Sequence, residues 1–371
     1  MQSLQNQNIF LPTGLQTQQD ISFENGLIKE IKPNVNHSET QNTYLLPGFI
    51  DLQIYGAAGK LFSAEPSTES IRIIEDQLLQ EGTTSFLICL ATNTPKVFNQ
   101  CISVIKEYRN NARNCLGLHL EGPFINPEKR GAHVKAYIRK ASLDEIKALL
   151  DFGDGTIKMM TLAPELQDDD VIQYLLDNRV VVSLGHSSAT FEQATKAYNQ
   201  GIQTTTHLFN AMSALQHRAP GIPTAVLNHQ TAMASIIADG LHVDFEVVKM
   251  AAKVMKERLF IITDAVTECN SGPYQHHAVE GKFVMPDGTL SGSAMTMLQS
   301  IKNCVNHCNI SLSDAISMAT YYPAKLIKKE NEIGRLAINA EANFVVLNKQ
   351  MDIAQVFYKG EQIKRNKGAS I

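Results

Sequence analysis

Between residues 45 and 263 this chain repeats one alternation eight times: a short apolar run of strand length, then a polar or amphipathic stretch. The apolar runs fall at roughly 45–54, 84–90, 115–120, 157–162, 179–185, 202–207, 233–238 and 258–263. Apolar residues at helical spacing follow most of them, over 68–81, 95–112, 142–150, 168–178, 189–200 and 244–256. Short buried strands alternating with amphipathic helices predict parallel βαβ units. Eight such units fit a closed (β/α)8 barrel of the TIM type. An open doubly wound sheet is the alternative, but no Gly-rich dinucleotide fingerprint follows the first run. Two more helical stretches, about 294–308 and 312–320, come after the eighth run.

The two ends of the chain read differently. The first 45 residues are polar and rich in Asn and Gln, with strand-like Ile21-Ser22-Phe23 and Leu27–Ile31 flanking the turn Glu24-Asn25-Gly26. Near the other end, 342–347 and 356–358 are strand-like, and Lys359-Gly360-Glu361 reads as a turn. Neither end is long enough to bury a core alone. The expected organisation is one small β domain from residues 1–45 plus 334–371, and a barrel over 46–333.

Four of the eight runs end on a residue that an apolar strand has no packing reason to carry. Glu121 closes the third, His186 the fifth, His207 the sixth and Asp264 the eighth. A carboxylate at a buried strand end is costly unless a cation or a proton compensates it. Barrel enzymes carry their chemistry on the C-terminal ends of the strands, so these four side chains are expected to converge. Glu121, His186 and His207 offer one carboxylate and two imidazoles, a set that suits a catalytic divalent metal with one position left for water. Such an ion lowers the pKa of its water to about 7. Asp264 is then the general base that takes the water proton and returns it to the leaving group. A non-catalytic barrel kept for assembly predicts eroded ligands instead, and here all four residues are present.

The net charge of −4 and pI of about 6.3 argue against nucleic acid or an anionic membrane as partners. No run approaches the roughly 18 apolar residues of a membrane span. Met1–Gln7 has neither the basic region nor the apolar core of a signal peptide. Cys89, Cys101, Cys115, Cys269, Cys304 and Cys308 form no C-x-x-C pair, and several lie inside apolar runs, which reads as buried thiols in a reducing compartment. Cys304 and Cys308 share a helix face but bracket no other ligand at zinc-finger spacing. A cytoplasmic location is expected.

Taken together, Leu46-Pro47-Gly48-Phe49-Ile50-Asp51, His119-Leu120-Glu121-Gly122-Pro123-Phe124, Gly131-Ala132-His133, Leu184-Gly185-His186-Ser187, Thr206-His207-Leu208-Phe209-Asn210-Ala211-Met212 and Thr263-Asp264-Ala265 resemble the N-acetylglucosamine-6-phosphate deacetylase family of the amidohydrolase superfamily. The resemblance runs from about residue 44 to the C-terminus, in order. It implies a metal-dependent barrel with a small β-sandwich, and hydrolysis of N-acetylglucosamine 6-phosphate to glucosamine 6-phosphate and acetate. Another N-acyl amino-sugar phosphate, such as N-acetylgalactosamine 6-phosphate, is the alternative substrate. Many superfamily members carry a His-x-His pair at the end of the first strand, supplying a second metal. Here the matching positions are Gln53 and Tyr55, poor ligands for a zinc-type ion, so a single metal on Glu121, His186 and His207 is expected. That donor set accepts zinc, iron(II), cobalt or manganese, with zinc the expected occupant.

The same resemblance implies the substrate contacts. Ala132 and His133 match the family's sugar-contacting pair, and Asn210 and Ala211 follow the last ligand where backbone N–H groups meet the substrate. Arg218 and His242 match the phosphate pair, for which an arginine fork is suited. Leu290, Ser291 and Gly292 match the loop over the sugar. The resemblance also implies a homodimer. His217, His229, His276, His277 and His307 are expected to be ordinary exposed histidines. His37 is expected to be solvated, and His119 to be either a partner of Glu121 or barrel filling.

Overall fold

The computed structural model of the chain describes residues 1–11, 13–35 and 43–365. The expectation for His37 lies outside the described residues. The chain opens with β1 (Gln2–Leu11), β2 (Gly14–Glu24), β3 (Leu27–Pro33) and β4 (Tyr44–Pro47). Then come β5 (Phe49–Ile54), a two-rung hairpin of β6 (Gly56–Ala57) and β7 (Lys60–Leu61), β8 (Thr83–Ala91), β9 (Cys115–Glu121) and β10 (Ile157–Leu162). They are followed by β11 (Val181–Leu184), β12 (Thr204–Thr205), β13 (Met233–Ile236) and β14 (Leu259–Ile261). A hairpin of β15 (His277–Val279) and β16 (Lys282–Val284) precedes β17 (Phe344–Leu347), β18 (Ile353–Tyr358) and β19 (Glu361–Gln362). The helices are α1 (Thr68–Gln80), α2 (Pro95–Tyr108), α3 (Leu143–Gly153), α4 (Asp169–Asp177), α5 (Phe191–Asn199), α6 (Gly221–Asn228), α7 (Phe245–Met255), α8 (Met297–Asn306), α9 (Leu312–Ala319) and α10 (Tyr321–Leu326).

Strands β5 and β8 to β14 form one parallel sheet in sequence order. Its two ends meet at the C-terminal side: the Asp264 N–H donates to Gln53 C=O at 3.0 Å, and the Tyr55 N–H to Ala265 C=O at 2.9 Å. The sheet is thereby closed into the expected barrel. All nine residues of β8 are buried, as expected for a strand covered on both faces. Ile50, Leu52, Leu87, Met159, Met233 and Phe260 cluster together from strands around the ring, sealed by Ala324, Leu326 and Ile333. Side chains from successive strands in one cluster fill the barrel interior. The helices start where local chemistry starts them. Thr94 caps α2 ahead of Pro95, and Thr190 and Gln193 make a reciprocal capping box on α5.

The single first run expected over 45–54 is two strands in two sheets. Pro47 ends β4, and Gly48 carries the chain across, its N–H on Asn343 C=O and that of Phe49 on Gly82 C=O, both at 2.9 Å. A Cβ on Gly48 would sit 2.1 Å from Thr84 Oγ1, so the crossing requires glycine. The second sheet is mixed, in the order β19-β18-β17-β4-β1-β2-β3, and it joins both ends of the chain. β2 and β17 are separated there by β1 and β4, yet Phe23 lies 5.2 Å from Phe344 and 5.9 Å from Phe357 between ring centroids. The sheet therefore curls over and packs on itself, giving sandwich-like packing from one continuous ladder.

Candidate metal and substrate site

The C-terminal mouth of the barrel holds a cavity of about 210 Å³. Glu121, His186, His207 and Asp264 all line it, as do Ala132, His133, Asn210, Ala211, His242, Leu290, Ser291 and Gly292. Arg218 does not; it is exposed on the loop before α6. The four strand-end residues are nearly closed to solvent, at 2% (Glu121), 4% (His186), 5% (His207) and 8% (Asp264). Three of them, His186, His207 and Asp264, stand just past their strands with φ of 46°, 34° and 54°. Non-glycine residues in the left-handed region carry strain, and such residues cluster at functional sites.

Glu121 is the hub. Its Oε1 lies 3.1 Å from His207 Nε2 and 3.4 Å from His186 Nε2, and the two imidazole nitrogens are 3.1 Å apart. Its Oε2 lies 3.1 Å from His133 Nε2 and accepts a bond from the Tyr55 hydroxyl. Gln53 Nε2 donates both to Glu121 Oε1 at 2.9 Å and to Asp264 Oδ1 at 2.5 Å. Glu121, His133 and His186 form a set whose ligand atoms lie within 4.8 Å of one another. His133 is nonetheless the weaker donor, because its Nδ1 accepts the Thr92 N–H at 3.2 Å. The neutral ring then carries its proton on Nε2 and gives it to Glu121. His186 is the reverse case. Its Nδ1–H donates to Lys129 C=O at 2.8 Å, which leaves Nε2 a bare lone pair. His207 faces that lone pair with its own Nε2 while its buried Nδ1 has no partner. A carboxylate and two imidazole nitrogens turned toward one point fit a divalent cation.

Second layers of bonds fix these rings. Glu165 accepts from Ser187 Oγ at 2.6 Å and Ser188 N–H at 2.7 Å, and so holds the turn that carries His186. Ser235 Oγ accepts the His207 N–H at 2.8 Å. Asp51, buried beneath the site, accepts from Thr263 through its hydroxyl and N–H and ties β5 to the segment that carries Asp264. Burial raises the Asp51 carboxyl to about 6. Burial, and then the charge of Glu121, pushes Asp264 well above the usual carboxylate range. Burial also works to raise Glu121, but His186, His133 and His207 together hold it well below that range. Burial lowers His133 to about 4. The two carboxyls of one cavity are thus driven apart, Asp264 toward higher proton affinity, as suits a base, and Glu121 toward keeping its charge, as suits a ligand.

Other expectations change in detail. His242 Nδ1 bonds Asp239 Oδ2 at 2.6 Å, which fixes the ring in the cavity wall and leaves Nε2 as its remaining polar atom. The Asn210 N–H is engaged by His207 C=O at 3.0 Å and is not held ready for a substrate. His119 does not touch Glu121; it fills the barrel, with Nδ1 on Leu52 C=O at 3.0 Å and Nε2 on Thr161 Oγ1 at 2.7 Å. His276, expected to be exposed, is buried and lines the cavity beside Tyr274. The backbone places it there: it pairs with Cys269 just before the β15–β16 hairpin, whose turn Glu280-Gly281 has φ of 48° and 77°. Only Gly281 of this turn is a hairpin residue by type, since Glu280 stands where Asn, Asp or Gly is favoured, so the sequence marks the segment weakly.

Known proteins resemble the chain over most of its length. The amidohydrolase family matches residues 44–363. The N-acetylglucosamine-6-phosphate deacetylase of Haemophilus influenzae is 32% identical over 343 residues, covering 90% of each chain. The N-acetylgalactosamine-6-phosphate deacetylase of a Shewanella strain is 31% identical, covering 92% of this chain and 90% of that one. The crystal structure of N-acetylglucosamine-6-phosphate deacetylase from Pasteurella multocida superposes with a TM-score of 0.92 at 32% identity, covering 98% of this chain and 99% of that one.

Proposed function

The chain belongs to the amidohydrolase family, and from that membership we propose that it hydrolyses the N-acetyl group of N-acetylglucosamine 6-phosphate, giving glucosamine 6-phosphate and acetate. The observation that carries the reading is the pair of buried carboxyls, Glu121 ringed by imidazoles and Asp264 beside it, bridged by the Gln53 amide beneath the cavity. Relatives of similar length acting on amino-sugar phosphates supply the substrate class.

Glu121, His186 and His207 would hold one divalent ion, which we take to be zinc, with iron(II), cobalt and manganese as competitors. When bound, the ion supplies Lewis acidity toward a carbonyl oxygen and a water. The chain's own residues do the rest. Asp264 takes a proton from the attacking water and delivers it to the amine nitrogen as the C–N bond breaks. Gln53 steadies Asp264 in its charged form, since a donor to a carboxylate favours ionisation. His133, locked by Thr92, points its Nε2–H into the site beside Glu121. Gln53 and Tyr55 donate hydrogen bonds to the Glu121 carboxylate and neither side chain is a good ligand for a zinc-type ion, which supports a single-metal site.

Ala132, Asn210, Ala211, Leu290, Ser291 and Gly292 wall the sugar side of the cavity. His242, oriented by Asp239, faces the phosphate. Arg218 lies outside the cavity of its own chain, and exposed Leu215 and Leu241 sit on the neighbouring loops. That supports a homodimer in which this face is covered. Six free cysteines suit the cytoplasm, and no helix among the described residues is long and apolar enough to cross a membrane. The division into residues 1–45 plus 334–371 and residues 46–333 is part of the same proposal, with β4 placing residues 46 and 47 in the small sheet.

The test is acetate release from N-acetylglucosamine 6-phosphate, with metal counted on the same sample, for wild type, Asp264→Asn and Glu121→Ala. Turnover with about one metal per chain, lost in both variants, is expected. No turnover with metal bound refutes this substrate. The Shewanella relative keeps the galacto epimer as a second reading, so both epimers are run side by side.

A further inference from the structure

His276 is the polar group in the cavity that no step above uses. Its ring is buried at 4% exposure, and Nδ1 sits 3.1 Å from Ser291 Oγ. Its backbone is pinned on both sides of the amide: its N–H donates to Cys269 C=O at 2.9 Å, and its C=O accepts from Cys269 N–H at 3.2 Å. The Tyr274 ring stacks nearly parallel to it at 6.4 Å, and Tyr274 is anchored by its hydroxyl on Thr92 C=O at 2.5 Å. The ring is therefore held by three neighbours, and its second nitrogen, Nε2, has no protein partner among the described residues. Whichever way the Ser291 bond runs, one polar function remains on Nε2. That nitrogen is not sealed from solvent, so it opens into the cavity, where a ligand or water completes its hydrogen bonding.

We propose that His276 contacts the substrate directly, its Nε2 hydrogen-bonding a hydroxyl of the sugar ring while its Nδ1 holds Ser291 in the loop over that ring. The inference rests on the amino-sugar deacetylase reading and adds a residue to it. The other parts of the substrate are accounted for elsewhere. The amide carbonyl belongs at the Glu121 cluster, and the phosphate belongs at His242, on the loop after β13. His276 enters from the segment after β14, next to Leu290–Gly292. Burial lowers its pKa to about 4, so the ring is neutral at pH 7 and is matched to a hydroxyl, not to a phosphate. Gly292 lets the loop pass close by: a Cβ there would lie 2.6 Å from Val266 Cγ1 and 2.8 Å from Asp264 C=O. The sugar loop is thus packed between the Asp264 backbone and His276, and a shift of one is felt by the other.

The experiment pairs enzyme variants with substrates that lack one hydroxyl. Wild type, His276→Phe and His276→Gln are assayed on N-acetylglucosamine 6-phosphate, on its 3-deoxy and 4-deoxy analogues and on the galacto epimer. Metal content and melting temperature are measured on every sample. His276→Phe is expected to lower kcat/KM on the intact substrate by about 10-fold or more, the effect of one lost hydrogen bond. On one analogue or on the epimer that penalty should shrink to less than about 3-fold, because the partner hydroxyl is already gone or displaced. His276→Gln, which keeps a polar end, should recover part of the loss and carries the comparison if the phenylalanine variant does not fold. An equal penalty on all four substrates would make His276 a packing residue and overturn the proposal, as would no penalty at all. Wild type inactive on every substrate would instead overturn the deacetylase reading, and this assignment with it.

Discussion

Replacing Gln53 with leucine keeps the bulk at the floor of the site and removes two donors at once. The amide gives one proton to Glu121 Oε1 at 2.9 Å and the other to Asp264 Oδ1 at 2.5 Å. A hydrogen bond to a charged group contributes about 1.5–3 kcal/mol. At Asp264 that contribution favours the ionised form, so its loss raises the carboxyl's pKa by about 1–2 units, at ~1.36 kcal/mol per unit. Asp264 must be ionised to accept the water proton. The acid limb of the kcat/KM profile should therefore move to higher pH by the same 1–2 units or so, with a plateau still reached on the alkaline side. The assay is a pH–rate profile with metal counted in each sample, because Glu121 loses a donor too. An acid limb that stays in place while the metal is retained refutes the role given to the amide, and to Asp264 as the group that titrates.

Three further outcomes follow from other parts of the molecule. Gln53→His with Tyr55→His puts two imidazoles where donors now occupy Glu121, and metal per chain by elemental analysis should rise from about one toward two; an unchanged count refutes the idea that these two residues are what keep a second ion out. Glu75 is fully buried and accepts from the N–H groups of Arg113, Asn114 and Cys115 at 2.9–3.1 Å and from the Tyr108 hydroxyl at 2.8 Å; Glu75→Ala should cost about 3–5 kcal/mol and lower Tm by ~4–6 °C for a chain of this size, and a shift under about 1 °C would deny it that stapling role. His119 has its pKa lowered to about 4 by burial, so its folded form refuses a proton that the unfolded chain takes at about 6.5; its contribution is full above about 6.5 and is lost as pH falls toward 4, up to ~3 kcal/mol. In metal-free protein, the urea stability gap between wild type and His119→Asn should narrow over that window, whereas Asp51, raised to about 6, works in the opposite direction and is lost as pH rises from 3.8 toward 6. A constant gap would show that His119 does not titrate there.

The barrel was legible because its strands are covered on both faces, so they read as apolar runs such as Phe86–Ala91. Helix α6 was not, because Gly221-Ile222-Pro223 at its start looks like a loop and its sequence has little polar stripe to set a period. The hub residues were visible for an energetic reason. Glu121 at the end of an apolar run is affordable only if something compensates it, and the structure supplies three imidazoles. What the compensation consists of was less visible, since it depends on which nitrogen of each ring is bare. His133 and His186 are the same residue type at the same carboxylate, yet Thr92 N–H makes one a proton donor and Lys129 C=O makes the other a lone pair. Those partners are backbone groups 41 and 57 residues away, and no side-chain pattern encodes them.

The same reasoning explains why some of the substrate side of the site escaped the sequence. Strand ends are fixed by the barrel, so a polar residue there is placed as soon as the strand is found. Loop residues are placed by contacts made after folding. Arg218 matches a phosphate-binding position yet stands exposed on its own chain, because nothing between Met212 and the start of α6 draws it inward. His276 sits in a segment with no periodicity and is drawn in by a ladder to Cys269, a stacked Tyr274 and a bond to Ser291. The chemistry of this site therefore follows from the regular elements, where bond breaking needs rigid placement, while recognition of the sugar and phosphate is delegated to loops whose geometry is tertiary. If that division holds, substitutions at Glu121 or Asp264 should abolish turnover of every N-acyl amino-sugar phosphate alike. Substitutions at His276 should change which of them is preferred, and kinetics on the two epimers separate those outcomes. Equal loss on both epimers from His276 variants would place that residue with the chemistry and defeat the division.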